Sequence, residues 1–241
     1  MEIVTRQGPS FGVARLNLVG SESARVEAGA MMAMSAGVTL SAKAEGGVMK
    51  SLKRAAVGGE SFFVTTYHAP AQGGWVDVAA RLPGDLINVV IQPGASWVIS
   101  KGSWLASPAT VELDTKWGGF KNLFGSEGGF VVRASGAGEV VLGCYGALDK
   151  WTLAQGETIT VDTGHMVAYQ DTIQMAIRKV TGGLVQTFKS GEGFVFDFTG
   201  PGEVYTQTRN PNELVSWLGA AIGTGNSGAG GGIVGGLLGR G

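Results

Sequence analysis

The chain has little of what most enzymatic chemistry needs. It holds one cysteine, Cys144, and two histidines, His68 and His165, in 241 residues. A lone cysteine excludes an intramolecular disulfide and with it the disulfide-rich scaffolds. Its setting, Val141-Leu142-Gly143-Cys144-Tyr145, reads as a strand, so a buried inert thiol is expected rather than a nucleophile. Charged residues make up 15% of the chain and the formal net charge is −1, which gives no global electrostatic case for nucleic acid. No run of about eighteen apolar residues occurs, so no transmembrane helix is expected. Met1-Glu2-Ile3-Val4-Thr5-Arg6 lacks the basic-then-apolar order of a secretory leader, and a cytoplasmic location, with room for peripheral contact at a membrane, is the expectation. No Ser-His-Asp order stands out, and a phosphate-binding loop ending in Gly-Lys-Ser/Thr is missing. No cofactor is indicated.

What the chain has in excess is glycine, 42 residues, much of it in recurring steps. Gly46-Gly47-Val48 precedes Gly59-Glu60-Ser61-Phe62-Phe63. Gly118-Gly119-Phe120 precedes Ser126-Glu127-Gly128-Gly129-Phe130, and Gly182-Gly183-Leu184 precedes Gly191-Glu192-Gly193-Phe194. The leading glycines stand 72 and 64 positions apart. Val26-Glu27-Ala28-Gly29 is matched with Ile91-Gln92-Pro93-Gly94 and Leu153-Ala154-Gln155-Gly156, and Pro83-Gly84-Asp85-Leu86 with Gly138-Glu139-Val140 and Gly202-Glu203-Val204. A long fixed period signals one structural unit built three times. Glycine supplies the positive φ of tight turns, and the alternating runs between the turns each bury one face of a strand.

The expected fold is therefore all-β: three tandem sandwich- or barrel-like repeats around a pseudo-threefold axis, over approximately residues 1–66, 67–133 and 134–209. Residues 1–218 form one body, because a unit of this size rarely buries its apolar face alone. Phe11, Val13, Leu16, Ala24, Val26, Met32, Met34 and Val38 are the inward candidates of the first stretch. Ile87 to Ile91, nearly all apolar, fits a strand buried on both faces. Asn210-Pro211-Asn212-Glu213 is a helix start, with Asn210 as cap and Pro211 in the first turn, opening a short helix over 211–218 closed by Gly219. Residues 219–241 read as a flexible glycine-rich tail.

The chain resembles the mitochondrial biogenesis family named for altered inheritance of mitochondria (number twenty-four). The resemblance rests first on Phe198-Thr199-Gly200-Pro201-Gly202-Glu203-Val204-Tyr205-Thr206-Gln207-Thr208-Arg209-Asn210-Pro211. Asp162-Thr163-Gly164-His165-Met166-Val167-Ala168 and Gly191-Glu192-Gly193-Phe194 add to it. It extends nearly to Leu218. The resemblance implies a fold similar to the tryptophan-RNA-binding attenuation protein, fused three to a chain, and no catalytic residues. Roles in membrane organisation belong to the mitochondrial members.

Candidate chemistry is sparse. His165 with Asp162, three residues before it across Gly164, is a candidate metal or small-molecule site of the cupin kind. The plainer reading is a hydrogen-bonded turn histidine, and the same holds for His68. Glu157 and Asp162 flank one strand and read as turn residues. Trp75, Trp97, Trp104 and Trp117 could stack bases, but tryptophan in strands is usually core or interface. RNA binding thus rests on fold analogy alone. Apolar residues at three-and-four spacing with lysines follow the glycine steps: Phe120, Lys121, Leu123 and Phe124, then Phe188 and Lys189. They could dock on a membrane surface or a protein partner, or plug the ends of the β units. The functional expectation is a non-enzymatic binding or scaffold protein, homo-oligomeric or partner-binding.

Overall fold

Alternating apolar residues broken by glycine turns make strands almost throughout. The computed structural model describes residues 1–44, 63–114, 131–179 and 194–223. The described residues hold nineteen strands in four antiparallel sheets, and one C-terminal helix, so the chain is mostly β. The first sheet runs in the order β1 (Glu2–Arg6), β2 (Val13–Leu18), β7 (Gly74–Ala79), β4 (Met31–Met34). The second is β5 (Thr39–Ala44), β6 (Phe63–His68), β3 (Ser23–Glu27), β10 (Trp104–Pro108), β13 (Gly138–Gly143), β8 (Leu86–Ile91). The third is β11 (Val111–Asp114), β12 (Val131–Gly136), β9 (Ser96–Ser100), β16 (Met166–Gln170), β19 (Gly202–Gln207), β14 (Leu148–Leu153). The fourth is β15 (Thr158–Asp162), β18 (Phe194–Thr199), β17 (Gln174–Lys179).

The pairings recur. β7 lies between β2 and β4, β13 between β8 and β10, and β19 between β14 and β16. Likewise β6 lies between β3 and β5, β12 between β9 and β11, and β18 between β15 and β17. Each of the first three triplets carries one bulge, at Met31/Ala33, Trp104/Ala106 and Met166/Ala168. A bulge adds one residue and sharpens the local twist, which bends the strand toward the neighbouring sheet.

Three apolar cores fill the space between sheets. The first gathers Leu16, Val26, Val76 and Val78 with Leu105, Ala106 and Val141. The second holds Ile91, Trp97, Ile99, Trp104 and Leu142 with Val167, Ala168 and Tyr205. The third holds Leu153, Tyr169, Phe196, Phe198 and Val204 with Val98 and Val131. Each core draws on strands far apart in sequence.

Several expectations shift. Phe11 and Met32 are exposed, at 69% and 54%, not inward. Phe11 precedes β2 in a loop, and Met32 sits on β4, which has a neighbour on one side only. Val90 is exposed while Val89 and Ile91 are buried, because β8 ends its sheet and keeps the two-residue period of a one-sided strand. Gly29 lies between β3 and β4, whereas Gly94 lies between β8 and β9 and Gly156 between β14 and β15. The turn that matches those two is Val19 to Glu22, where Ser21 carries the positive φ of 64°. Similarly, Gly138 and Gly202 open β13 and β19, and it is Gly74, opening β7, that matches them rather than Gly84. The helix α1 spans Pro211–Gly223 and passes through Gly219. Ala220 and Ala221, the best helix formers, follow and offset the roughly 1 kcal/mol that glycine costs. The Gly-Gly and Gly-Glu steps at 46–62, 118–130 and 182–193 lie outside the described residues.

Candidate functional site

The two longest stretches of the resemblance meet in space. At the end of β19, Gln207 is buried. Its Oε1 accepts from the Tyr145 amide at 2.9 Å, and its Nε2 donates to the Gly164 carbonyl at 2.9 Å. The Gln207 carbonyl accepts from His165 Nδ1 at 2.7 Å, which sets the proton on that nitrogen. Thr208 Oγ1 accepts from the Ala147 amide at 2.9 Å. Asn210 caps α1, its Oδ1 accepting from the Asn212 amide at 2.9 Å. Gly164 lies against the Asn210 amide group so closely that a Cβ there would collide with it. A one-turn 3₁₀ segment, Thr163–His165, carries Gly164 and His165 to this place, and Asp162 Oδ1 caps it by accepting from the Gly164 amide at 3.0 Å.

The proposed metal pair is thus divided between two structural tasks. Asp162 holds a turn and His165 holds the end of β19. Among the described residues no group of three or more His, Cys, Asp or Glu side chains gathers to hold a metal ion. His68 sits in β6, not in a turn, and bridges two neighbouring strands through Ser23 Oγ at 2.8 Å and Ser41 Oγ at 3.0 Å. Glu157 closes the turn before β15, its Oε2 accepting from the Ala154 amide at 2.8 Å.

Beside the motif lies an open cleft of about 340 Å³, lined by Phe11, Pro83, Tyr145, Thr208 and Arg209 among others. Ser10 lines it too, within Gly8-Pro9-Ser10-Phe11-Gly12. That run has the spacing of a nucleophile elbow, but an elbow needs a strand-to-helix turn, and this run joins β1 to β2. The lining has no histidine or carboxylate to act as base.

A buried, paired carboxylate lies elsewhere. Asp77, in β7, is 2% exposed between Val76 and Val78, which expose nothing. Arg15 Nε and Nη2 reach its two oxygens at 2.8 and 2.9 Å, and Arg6 Nη1 and Nη2 at 3.1 and 2.7 Å. The Arg15 guanidinium also lies 3.9 Å over the Trp75 ring. Hydrogen bonds from Arg15, then those from Arg6, hold the carboxyl well below the usual carboxylate range. Both forks saturate the carboxylate, so it has no capacity left for a substrate proton. Asp77 is not among the candidate residues read from the sequence. The signal was a carboxylate flanked by valines, two residues from a tryptophan, with Arg15 inside the apolar run Val13-Ala14-Arg15-Leu16.

Trp97 and Trp104 are core residues, and Trp75 is taken by Arg15. Phe120, Lys121, Leu123, Phe124, Phe188, Lys189 and Trp117 lie outside the described residues. What is uncovered is α1, where Val215, Trp217, Leu218 and Ile222 are all exposed. Among the described residues no helix is long and apolar enough to cross a membrane.

The described residues thus form a mostly β fold with saturated polar clusters and an apolar helix left in solvent. The chain belongs to the mitochondrial biogenesis AIM24 family, whose model matches residues 4–209. It is similar to an uncharacterized protein of Streptococcus pyogenes serotype M6, 27% identical over 226 residues that cover 90% of each chain. It is also similar in structure to a Streptococcus pyogenes protein solved by X-ray crystallography as a structural genomics target. There the TM-score is 0.75 and the identity 26%, over 91% of this chain and 98% of that one. These bacterial relatives are of unknown function.

Proposed function

We propose that this protein is a non-enzymatic scaffold, built from three copies of one β unit, that holds a protein partner or further copies of itself. In this reading β2–β7, β8–β13 and β14–β19 are the three copies. The recurring triplets, the bulge before Ala33, Ala106 and Ala168, and the turns at Ser21, Gly94 and Gly156 support it. A pseudo-threefold arrangement follows if the joint between successive copies also forms between the third and the first.

One observation carries the function: polar side chains that converge are spent on structural hydrogen bonds, while apolar ones on α1 stand in solvent. A surface of Val215, Trp217 and Ile222 is a place for another protein rather than for a reaction. Quantitative affinity purification and sedimentation of the full chain test this. A stoichiometric protein partner or self-assembly, weakened by Trp217→Glu with Ile222→Glu, is the expected result. A chain of 24.7 kDa that sediments as a monomer and brings down no stoichiometric protein overturns the reading.

A further inference from the structure

Two joints inside the chain are the same joint. At the first, β10 pairs with β3, with Ala106 opposite Val26, Ser107 opposite Arg25 and Pro108 opposite Ala24. At the second, β16 pairs with β9, with Ala168 opposite Ile99, Tyr169 opposite Val98 and Gln170 opposite Trp97. In the order of the strands, β4 holds the place of β10 and β16, and β15 holds the place of β3 and β9. Yet β4 ends the first sheet and β15 ends the fourth. β5, β11 and β17 are edges in all three copies, so the unit is built to leave them open. β4 and β15 are edges only because each lacks its counterpart.

Burial points the same way. Ala106, Ala168, Val26 and Ile99 expose nothing, while their counterparts Ala33 and Val161 are only half-buried. Leu105 and Val167 are buried, and their counterpart Met32 is 54% exposed. Ile159 and Val161 pack against the third core without being closed over, where Ala24, Val26, Trp97 and Ile99 are. Neither edge carries the lysine or proline that guards a strand against pairing: β4 is Met31-Met32-Ala33-Met34, and β15 is Thr158-Ile159-Thr160-Val161-Asp162.

We propose that β4 of one copy of this chain pairs antiparallel with β15 of another, with Ala33 opposite Val161 and Met34 opposite Thr160, joining copies head to tail. The inference rests on the triplicated reading of the fold. The contact is heterologous, so the rotation at each joint decides between a closed ring and a filament.

The full chain carrying Ala33→Cys with Val161→Cys, treated with a short bismaleimide, tests the register, with each single variant as control for the buried Cys144. A ladder of linked multiples of 24.7 kDa, beyond what the single variants give, is expected. A monomer linked within itself shows that the joint closes inside one chain and overturns the proposal, as does no linkage beyond the controls. Met32→Lys gives the second readout, since Met32 is exposed in the single chain. It should return the sedimenting mass to that of the monomer and give the melting temperature of the wild-type chain at dilutions where it is dissociated. Assembly or partner capture that survives Met32→Lys but is lost with the α1 variants removes this joint and leaves the scaffold reading standing. A wild-type chain that is monomeric at all concentrations removes the joint, and if no partner is captured either, the scaffold reading falls with it.

Discussion

Ala106 on β10 stands opposite Val26 on β3, and neither exposes any surface. Both belong to the first core, on neighbouring strands of the second sheet. Ala106→Glu would bury an unpaired carboxylate there, and it should cost more than about 3 kcal/mol of stability or abolish folding. In the dissociated single chain, Ala33→Glu, on the edge strand β4, should cost less than about 1 kcal/mol. Urea denaturation of the two variants checks the contrast. Equal losses would mean that β4 is covered as tightly as β10.

Asp77 ties β1 and β2 to β7 through Arg6 and Arg15. Asp77→Asn should lower stability at neutral pH by about 2 kcal/mol, with the partial exposure of the arginines keeping the figure below that of a fully buried pair. The sign with pH follows from the carboxyl being held down in the folded state. Its stabilisation is complete above the ordinary unfolded value of about 3.9 and is lost as pH falls from there toward the lower folded value. Wild-type stability should therefore fall steeply below about pH 4, and the Asn variant should fall less. Denaturation curves between neutral pH and pH 3 measure the difference.

How much of this was legible in the sequence depends on range. The all-β class was, because alternation and glycine turns are local signals. The start of α1 was too, since Asn210 and Pro211 act within one turn. Its end was not: Gly219 reads as a stop, but Ala220 and Ala221 outweigh it. Gly29 reads as the partner of Gly94 and Gly156, yet the turn at the same place in the strand order uses Ser21, and a serine at positive φ gives no compositional signal. The site was less legible still. Gln207 joins Tyr145 and Gly164 across 62 and 43 positions, and nothing local in Thr206-Gln207-Thr208 announces two long-range hydrogen bonds. Asp77 was hidden for a similar reason, since strand period alone cannot tell a solvated carboxylate from one saturated by distant arginines.

Cys144 is buried, and its thiol donates to the Gly146 carbonyl at 3.2 Å. Burial pushes the thiol up to about 11. At pH 8 it should be nearly all thiol, and its reaction with a disulfide reagent should be at least about a hundredfold slower than for the same chain in denaturant. Ellman titration in both conditions checks this. A fast native reaction would mark an accessible thiolate and reopen the question of redox chemistry.

Gln207→Ala removes both contacts that tie the end of β19 to the Tyr145 and Gly164 loops. Two partly buried backbone groups lose their partners, so a loss of about 1–2 kcal/mol is expected. The Asp162 cap and the bond from His165 to the Gln207 carbonyl remain, so amide exchange should rise first at Tyr145, whose amide loses its acceptor, before it rises in β19. Unchanged exchange at Tyr145 would show that the Gln207 side chain does not hold this loop.

Ser21 adopts φ 64°, where Gly94 and Gly156 adopt 86° and 76°. A left-handed conformation costs a non-glycine residue roughly 1–2 kcal/mol, while a glycine pays about 0.4–1 kcal/mol more in unfolded-state entropy. Ser21→Gly should therefore gain a net of about 0.5 kcal/mol, because its backbone bond from the Ser21 amide to the Pro70 carbonyl is kept. Gly94→Ser and Gly156→Ser should each lose a similar amount. At both glycines a Cβ would meet nothing within 4 Å, so the loss would be conformational rather than steric. Chemical denaturation of the three variants tests whether these turns are one turn used three times: opposite signs of similar size support the equivalence, and a loss at Ser21→Gly would assign the serine a contact of its own and break it.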